Sequence, residues 1–215
     1  RIKANQEIPE KIFRINNLIK EKYNLRIVEG LSAKQIAKRY GYKLFDTLNQ
    51  SFSHLFGYVP LNKKQMQFYI DMYFLFLDKR LLCLIVDEND EIAAFGVSMP
   101  SLTEALRKSK GKLFPFGFIH ILRGLKGDGL LEALMIGVKP EHQGKGLNSI
   151  IFSHVFKGAK KYGMKKMVTN PRLETNSRVF RIFDYFNPQL YMRRRCYKAT
   201  LETIEQTISI SSSVM

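Results

Sequence analysis

The chain has 215 residues, with 35 Lys or Arg against 19 Asp or Glu, and its formal charge is +16. This length is enough for one large domain with a substantial core, and no apolar run approaches the roughly 18 residues of a membrane span. The two cysteines, Cys83 and Cys196, lack the paired Cys/His spacing of a metal site, so we expect no metal. We expect both thiols to be reduced and buried in a cytoplasmic protein, because no signal-peptide pattern opens the chain.

The positive charge predicts an anionic partner, which could be nucleic acid, a membrane surface or a polyanionic small molecule. Lys and Arg are scattered along the chain, and the densest run, Arg193 to Arg195, lies in an alternating segment typical of a solvated strand face. No zinc-finger or RNP-like pattern is present, so nucleic acid is disfavoured. We expect no membrane partner either, which leaves a polyanionic small molecule.

In chain order, the pattern predicts a lead-in helix in residues 1–23, an α/β domain in residues 24–201 and a loosely held tail in residues 202–215. The lead-in helix is compatible with a preceding N-terminal region. The first half of the domain begins with a strand at 25–28 and a helix that the capping box Ser32-x-x-Gln35 opens and that runs to about 55. A helix from Asn62 to 77 follows. A hairpin of two strands, at 81–86 and 91–99, then turns around Asn89-Asp90.

The second half of the domain contains a strand around Glu132, a helix at 149–162, a strand at 165–169, a helix at 176–186 and a strand at 193–201. Between Met99 and Leu130 lies an insertion that begins with Ser101-x-x-Glu104, a pattern typical of a helix start. The insertion either shapes a substrate pocket or forms a helical hairpin that covers the sheet and buries Phe114, Phe116 and Phe118. Burial is the favoured interpretation.

The most informative segment is 130–148, where an apolar strand leads through a Pro-containing turn and a glycine-rich loop into an amphipathic helix. Backbone N–H groups at such a junction have no partner in the helix, and the positive end of the helix dipole lies behind them, so an anion is favoured. The spacing of Gly144 and Gly146 fits neither the Rossmann pattern nor the P-loop pattern. The junction is therefore either the binding site of a different phosphate-containing ligand or a plain tight turn between strand and helix.

Gln143-x-x-Gly146 after Val138-x-Pro140 resembles the acyl-CoA-binding motif of the Gcn5-related N-acetyltransferase (GNAT) superfamily, and the element order is similar from about 24 to 201. Asn148 departs from the pattern, because the family usually has a second Gly or Ala there. The resemblance implies a mixed, mainly antiparallel sheet flanked by helices, with acetyl-CoA as cosubstrate. The stretches 56–61 and 113–117 also resemble the C-terminal half of a little-studied bacterial group of longer GNAT-like proteins, which implies a further N-terminal half.

The resemblance also implies which residues form the site. Glu132 is the candidate general base, since it lies 11 positions before Gln143 and is a lone acid in an apolar strand. There it is either partly desolvated, and so a better proton acceptor, or paired with a Lys or Arg at an exposed strand end. The implied cofactor-binding residues are Ile136, Gly137, Val138, Gln143, Gly144, Lys145, Gly146, Leu147, Asn148 and Asn176.

The general acid is less well defined. Family members often place a Tyr at the position of Phe183; Tyr185 lies two residues further, on a different helix face, and is our candidate. Tyr191, Tyr197 and water are alternatives. We expect an N-acetyltransferase that moves an acetyl group directly to a small-molecule or peptide amine. The alternatives are a CoA-binding or protein-interaction module that has lost the chemistry, which Phe183 would permit, and a basic nucleic-acid-binding protein.

Overall fold

The computed structural model describes residues 1–4, 7–74, 77–170 and 187–195. Within them, six strands form one sheet in the order β1-β6-β5-β4-β3-β2, and only β5 and β6 run parallel. The strands are β1 (Ile2–Lys3), β2 (Arg26–Ile27), β3 (Leu82–Val86), β4 (Ile92–Pro100), β5 (Leu130–Val138) and β6 (Lys166–Thr169). The helices are α1 (Glu10–Lys22), α2 (Ala33–Phe52), α3 (Lys63–Tyr73), α4 (Thr103–Lys108), α5 (Gly117–Leu125) and α6 (Leu147–Lys161).

Local sequence signals explain where several of these elements begin. Ser32 and Gln35 form a complete capping box at the start of α2, and Asn62 and Gln65 form a second one at α3. Each box satisfies backbone N–H groups that a helix start leaves unpaired. At the β3–β4 turn, Asp87 Oδ1 accepts hydrogen bonds from the backbone of Asn89 and Glu91.

The sheet separates two hydrophobic cores. On one face α6 and α1 cover Leu81, Cys83 and Leu131, and on the other face α2 and α3 cover Leu84, Phe95 and Val97. Cys83 is fully buried as predicted, and burial raises the pKa of its thiol well above the usual range. Cys196 lies outside the described residues. The predicted mixed, mainly antiparallel sheet flanked by helices is confirmed.

The insertion between β4 and β5 differs from its prediction. It is a hairpin of α4 and α5, but its phenylalanines are not buried: Phe114 is 79% exposed and Phe116 is 69% exposed. The first helix begins at Thr103 with Leu102 as its N-cap, and Ser101 Oγ accepts a hydrogen bond from the Thr103 backbone N–H at 3.3 Å, so the helix starts two residues after Ser101. Arg193 to Arg195, which the sequence analysis places in a strand, are not in a strand. The predicted helix at 176–186 and the rest of that last strand lie outside the described residues.

Candidate active site

β5 is paired with its neighbour β6 along only the first half of β5. The two strands pair in parallel from Leu130 opposite Lys166 to Ala133 opposite Thr169, where β6 ends and β5 continues for five residues. Just beyond, the Asn170 side chain donates a hydrogen bond to the Leu134 carbonyl at 3.0 Å. Between Leu134 and Val138, β5 has β4 on one side and no described strand on the other. We call this side, from Leu134 to Val138, the open side of β5, because among the described residues its backbone is accessible to an extended ligand.

A β-bulge lies at the point of separation. Val97 of β4 is opposite Met135, but the next residue, Ser98, is opposite Ala133, so Leu134 has no partner across the strand pair. A bulge adds a residue to one strand and re-aims the backbone that follows it. The bulge thus directs the second half of β5, which contains Ile136 and Val138, away from the direction of β6.

The glycine-rich loop links β5 to α6 and brings the helix N-terminus next to the open side of β5. Gly144 and Gly146 have φ values of +78° and +83°, in the left-handed region that favours glycine, and Gly146 is the N-cap of α6. Within the described residues, the backbone N–H groups from Gly144 to Asn148 donate no hydrogen bond to the rest of the chain. These groups and the helix dipole suit a phosphate group. Asn148, the departure from the family pattern, lies in the first turn of α6 and not at its cap.

Helix α1 forms one wall of this loop. A Cβ atom on Gly146 would lie 2.8 Å from Cδ1 of Ile19, and the Lys145 ammonium lies 4.9 Å from the centre of the Tyr23 ring. A Cβ atom on Gly144, in contrast, would meet no atom within 4 Å. Gly146 is therefore favoured by its φ angle, and a Cβ there would also displace the flexible end of the Ile19 side chain, whereas the Cβ position of Gly144 is open.

Gly137 on β5 leaves room for a large aromatic ring from the neighbouring strand β4. It lies opposite Phe95, and a Cβ atom on Gly137 would lie 2.3 Å from Cε1 of that ring. Phe95 is fully buried, so the ring cannot move out to solvent. The missing Cβ of Gly137 therefore leaves the space that the Phe95 ring occupies.

Glu132 is half-buried on β5 and accepts two hydroxyl hydrogen bonds on the same oxygen. Ser101 Oγ donates to Glu132 Oε1 at 2.5 Å, and Thr103 Oγ1 donates to Oε1 at 3.3 Å. Ser101 is 2% exposed and immediately follows β4. Among the described residues Glu132 is in no ion pair. The carboxylate is thus oriented by neutral donors, not by one of the many lysines or arginines.

The structure brings most of the predicted site onto one strand, loop and helix. Glu132, the backbone of β5 and the loop from Gln143 to Asn148 follow each other along the chain, and Gln143 Nε2 donates to the Val138 carbonyl at 3.3 Å. Tyr185 and Asn176 lie outside the described residues. Three short polar side chains also contact this region through bonds that no sequence pattern predicts: Ser101, Thr103 and Asn170.

A separate cavity of about 410 Å³ lies between α1, α6 and the start of β3, and no predicted site residue lines it. Asn16, which lines it, is buried and donates to Ser153 Oγ at 2.8 Å, while its Oδ1 has no partner among the described residues. His154 also lines this cavity, and burial lowers the pKa of its imidazole. The polar groups of this cavity hold α1 against α6.

Within the described residues, no group of three or more His, Cys, Asp or Glu side chains could hold a metal ion. In the same part of the chain, no helix is both long and apolar enough to cross a membrane.

Two curated bacterial proteins are similar in sequence to part of this chain. The chain is 25% identical over 168 residues to Protein YghO of Escherichia coli, which covers 72% of this chain and 41% of that protein. It is 30% identical over 102 residues to a bacterial ceramide synthase of Caulobacter vibrioides, which covers 46% of this chain and 26% of that protein. The chain therefore spans less than half the length of these curated relatives.

Among solved structures, the fold is similar to that of an aminoglycoside acetyltransferase from an uncultured soil metagenomic sample. The TM-score is 0.51 at 11% identity, with 85% of this chain and 99% of the other covered. A model of the Acetyltransferase (GNAT) family matches residues 42–183. That match covers more than half of the chain and includes β5, the glycine-rich loop and α6. The chain therefore belongs to the GNAT acetyltransferase family.

Proposed function

We propose that the chain is an N-acetyltransferase that moves an acetyl group from acetyl-CoA directly to an amine. The observation that carries the proposal is that three features adjoin each other: the open side of β5, the backbone N–H groups from Gly144 to Asn148, which have no partner among the described residues, and the oriented carboxylate of Glu132. The first accepts an extended arm, the second a pyrophosphate, and the third a proton.

The residues present fit acetyl-CoA. Gly144 leaves open space where a side chain would otherwise project, and Lys145 adds a positive charge beside the loop. The backbone of Ile136, Gly137 and Val138 is available to hold the pantetheine arm. When bound, acetyl-CoA supplies a thioester whose carbonyl carbon accepts the amine.

Glu132 acts as the general base in this proposal. Both of its hydrogen bonds end on Oε1, so Oε2 can receive the proton that the amine nitrogen loses as the new C–N bond forms and the C–S bond breaks. Ser101 and Thr103 fix the carboxylate in one orientation and are positioning residues. The proton that the departing thiolate takes up comes from water or from Tyr185.

The test measures thiol release from acetyl-CoA with a panel of small amines and lysine-containing peptides. Glu132→Gln is expected to keep acetyl-CoA binding and to lose about 100-fold or more in turnover, as a general base typically contributes. Glu91→Gln, which removes a carboxylate paired with Lys43 at the β3–β4 turn, is the matched control and should keep full turnover. Full turnover of Glu132→Gln would remove Glu132 from the role. If the chain binds acetyl-CoA but releases no thiol with any amine, a CoA-binding module that has lost the acetyl-transfer chemistry would be favoured.

A second candidate differs in the size of the acyl group. The chain is 30% identical over 102 residues to a bacterial ceramide synthase, and a ceramide is an amide of a long acyl chain and a long-chain amino alcohol. In the same assay, a long-chain acyl-CoA with a long-chain amino alcohol would be turned over faster than acetyl-CoA with any amine. A clear preference for acetyl-CoA would exclude this candidate.

A further inference from the structure

The hairpin of α4 and α5 exposes an apolar surface that neither the sheet nor the site uses. We define the hairpin patch as its six exposed large apolar side chains. They are Leu106, Leu113, Phe114, Phe116, Phe118 and Leu122. Large exposed apolar patches on a folded protein typically mark an interaction surface.

The two helices of the hairpin pack closely against each other, so loose packing is not the reason why these side chains are exposed. A Cβ atom on Gly124 of α5 would lie 2.9 Å from Cβ of Ala105 on α4, which shows how near the two helices are. The Tyr162 hydroxyl donates to the Leu125 carbonyl at 2.6 Å and fixes the end of α5 to α6. The apolar side chains of the patch therefore project from a supported structure.

The charge around the hairpin patch is mainly positive, although Glu104 on α4 forms an ion pair with Arg107. Between residues 105 and 127 the chain has six basic residues and no acidic residue. All six are exposed: Arg107, Lys108, Lys110, Lys112, Arg123 and Lys126. An apolar surface surrounded by Lys and Arg is complementary to the boundary between anionic headgroups and acyl chains.

We propose that the hairpin patch docks on an anionic phospholipid membrane surface, with the Phe and Leu side chains in the acyl boundary and the basic residues among the headgroups. Three of the six apolar residues are leucines, which insert between acyl chains but do not stack on bases, so the patch favours a membrane over nucleic acid. This docking is peripheral. It departs from the sequence-based expectation of no membrane partner, which rested on the lack of a membrane span.

The docking also has a consequence for the site. Ser101 and Thr103, which hold the Glu132 carboxylate, are at the base of this hairpin. A membrane-docked hairpin would bring the site next to amines at the lipid surface. The docking itself does not rest on the proposed acetyl transfer and is tested without acyl-CoA.

The chain contains no Trp, so a single introduced Trp reports its own environment. Phe116→Trp is expected to show a blue-shifted emission with vesicles of phosphatidylglycerol and phosphatidylcholine, and little shift with phosphatidylcholine alone or at high salt. Phe56→Trp is the matched control: Phe56 is 94% exposed, follows α2 and does not belong to the hairpin, so it should show no shift.

Sedimentation with the same vesicles tests the two components separately. Phe114→Ser with Phe116→Ser should lower binding about tenfold or more, whereas Phe56→Ser with Val59→Ser should leave it unchanged. Lys108→Gln with Lys112→Gln should lower binding about 30-fold, since each basic residue near an anionic surface contributes about fivefold. All of these side chains are exposed, so the variants are expected to fold.

Any of three results would overturn the proposal: absence of vesicle binding, binding that the phenylalanine variants do not lower, or an equal loss in the Phe56 and Val59 control. A patch that instead holds two copies of the chain together would appear as a dimer that the phenylalanine variants dissociate, without vesicle binding. That result would also refute membrane docking.

Discussion

Gly137→Ala is expected to destabilise the fold because the added methyl group meets the Phe95 ring. The new Cβ would lie 2.3 Å from Cε1 and 2.7 Å from Cζ of that ring, whereas carbon atoms in contact are normally about 3.5 to 4 Å apart. The ring must therefore move by more than about 1 Å within a core where Phe95 is fully buried. Such overpacking costs about 1 to 3 kcal/mol, and removal of a strand glycine returns about 0.5 to 1 kcal/mol, so we expect a net loss near 1 to 2 kcal/mol.

A double-mutant cycle separates this collision from a general intolerance of β5 to substitution. Phe95→Leu alone leaves space in the core and should cost about 1 to 2 kcal/mol. In the double variant the new methyl group fills part of that space, so its loss should be smaller than the sum of the two single losses by about 1 kcal/mol. Urea unfolding of the four proteins measures the free energies. The reasoning would be refuted if the two single losses summed to the loss of the double variant within about 0.5 kcal/mol. It would also be refuted if Gly137→Ala were as stable as the parent.

Two further predictions concern stability. Ser32→Ala removes the capping-box hydroxyl of α2 and should cost about 1 kcal/mol, whereas Ser53→Ala at the other end of the same helix should cost less than half of that in the same urea series. Burial lowers the pKa of His154 below its ordinary value near 6.5, so as the pH falls through 6.5 the unfolded chain binds a proton that the folded chain excludes. Stability should therefore fall with decreasing pH, by at most about 1.4 kcal/mol per pH unit from this residue, and His154→Leu should flatten the slope measured between pH 7 and pH 5. An unchanged slope would show that His154 protonates equally in both states.

The parts of the fold that the sequence predicts are those set by local interactions. The predicted capping box at Ser32 connects residues only three apart, the predicted helix start at Asn62 is fixed in the same local way, and the Asn89-Asp90 turn lies within a few residues of the strands it joins. The glycine-rich loop is equally local, because the φ angles of Gly144 and Gly146 determine its path. Such signals can be read without knowledge of the tertiary structure.

The parts that the sequence does not predict depend on residues far apart in the chain. The pattern at Ser101 predicts the start of α4, but it does not predict that the same hydroxyl donates to Glu132, 31 positions away. Phe114 and Phe116 were expected to be buried because their side chains are apolar, and no local pattern shows that the hairpin projects away from the core. The separation of β5 and β6 is also invisible in the sequence, because it depends on where β6 ends relative to the β5 register.

The most direct test of the central claim is isothermal titration of the chain with acetyl-CoA, with ATP as a polyanion control. Gly144→Glu places a carboxylate in front of the loop, and Gly163→Glu is its matched control, since both glycines have a positive φ and open space at Cβ but Gly163 lies beyond the opposite end of α6. We expect saturable acetyl-CoA binding that ATP does not reproduce. Gly144→Glu should weaken this binding about tenfold or more, and Gly163→Glu should leave it unchanged. Equal weak binding of both anions, or the same loss in both variants, would contradict a CoA site at the start of α6.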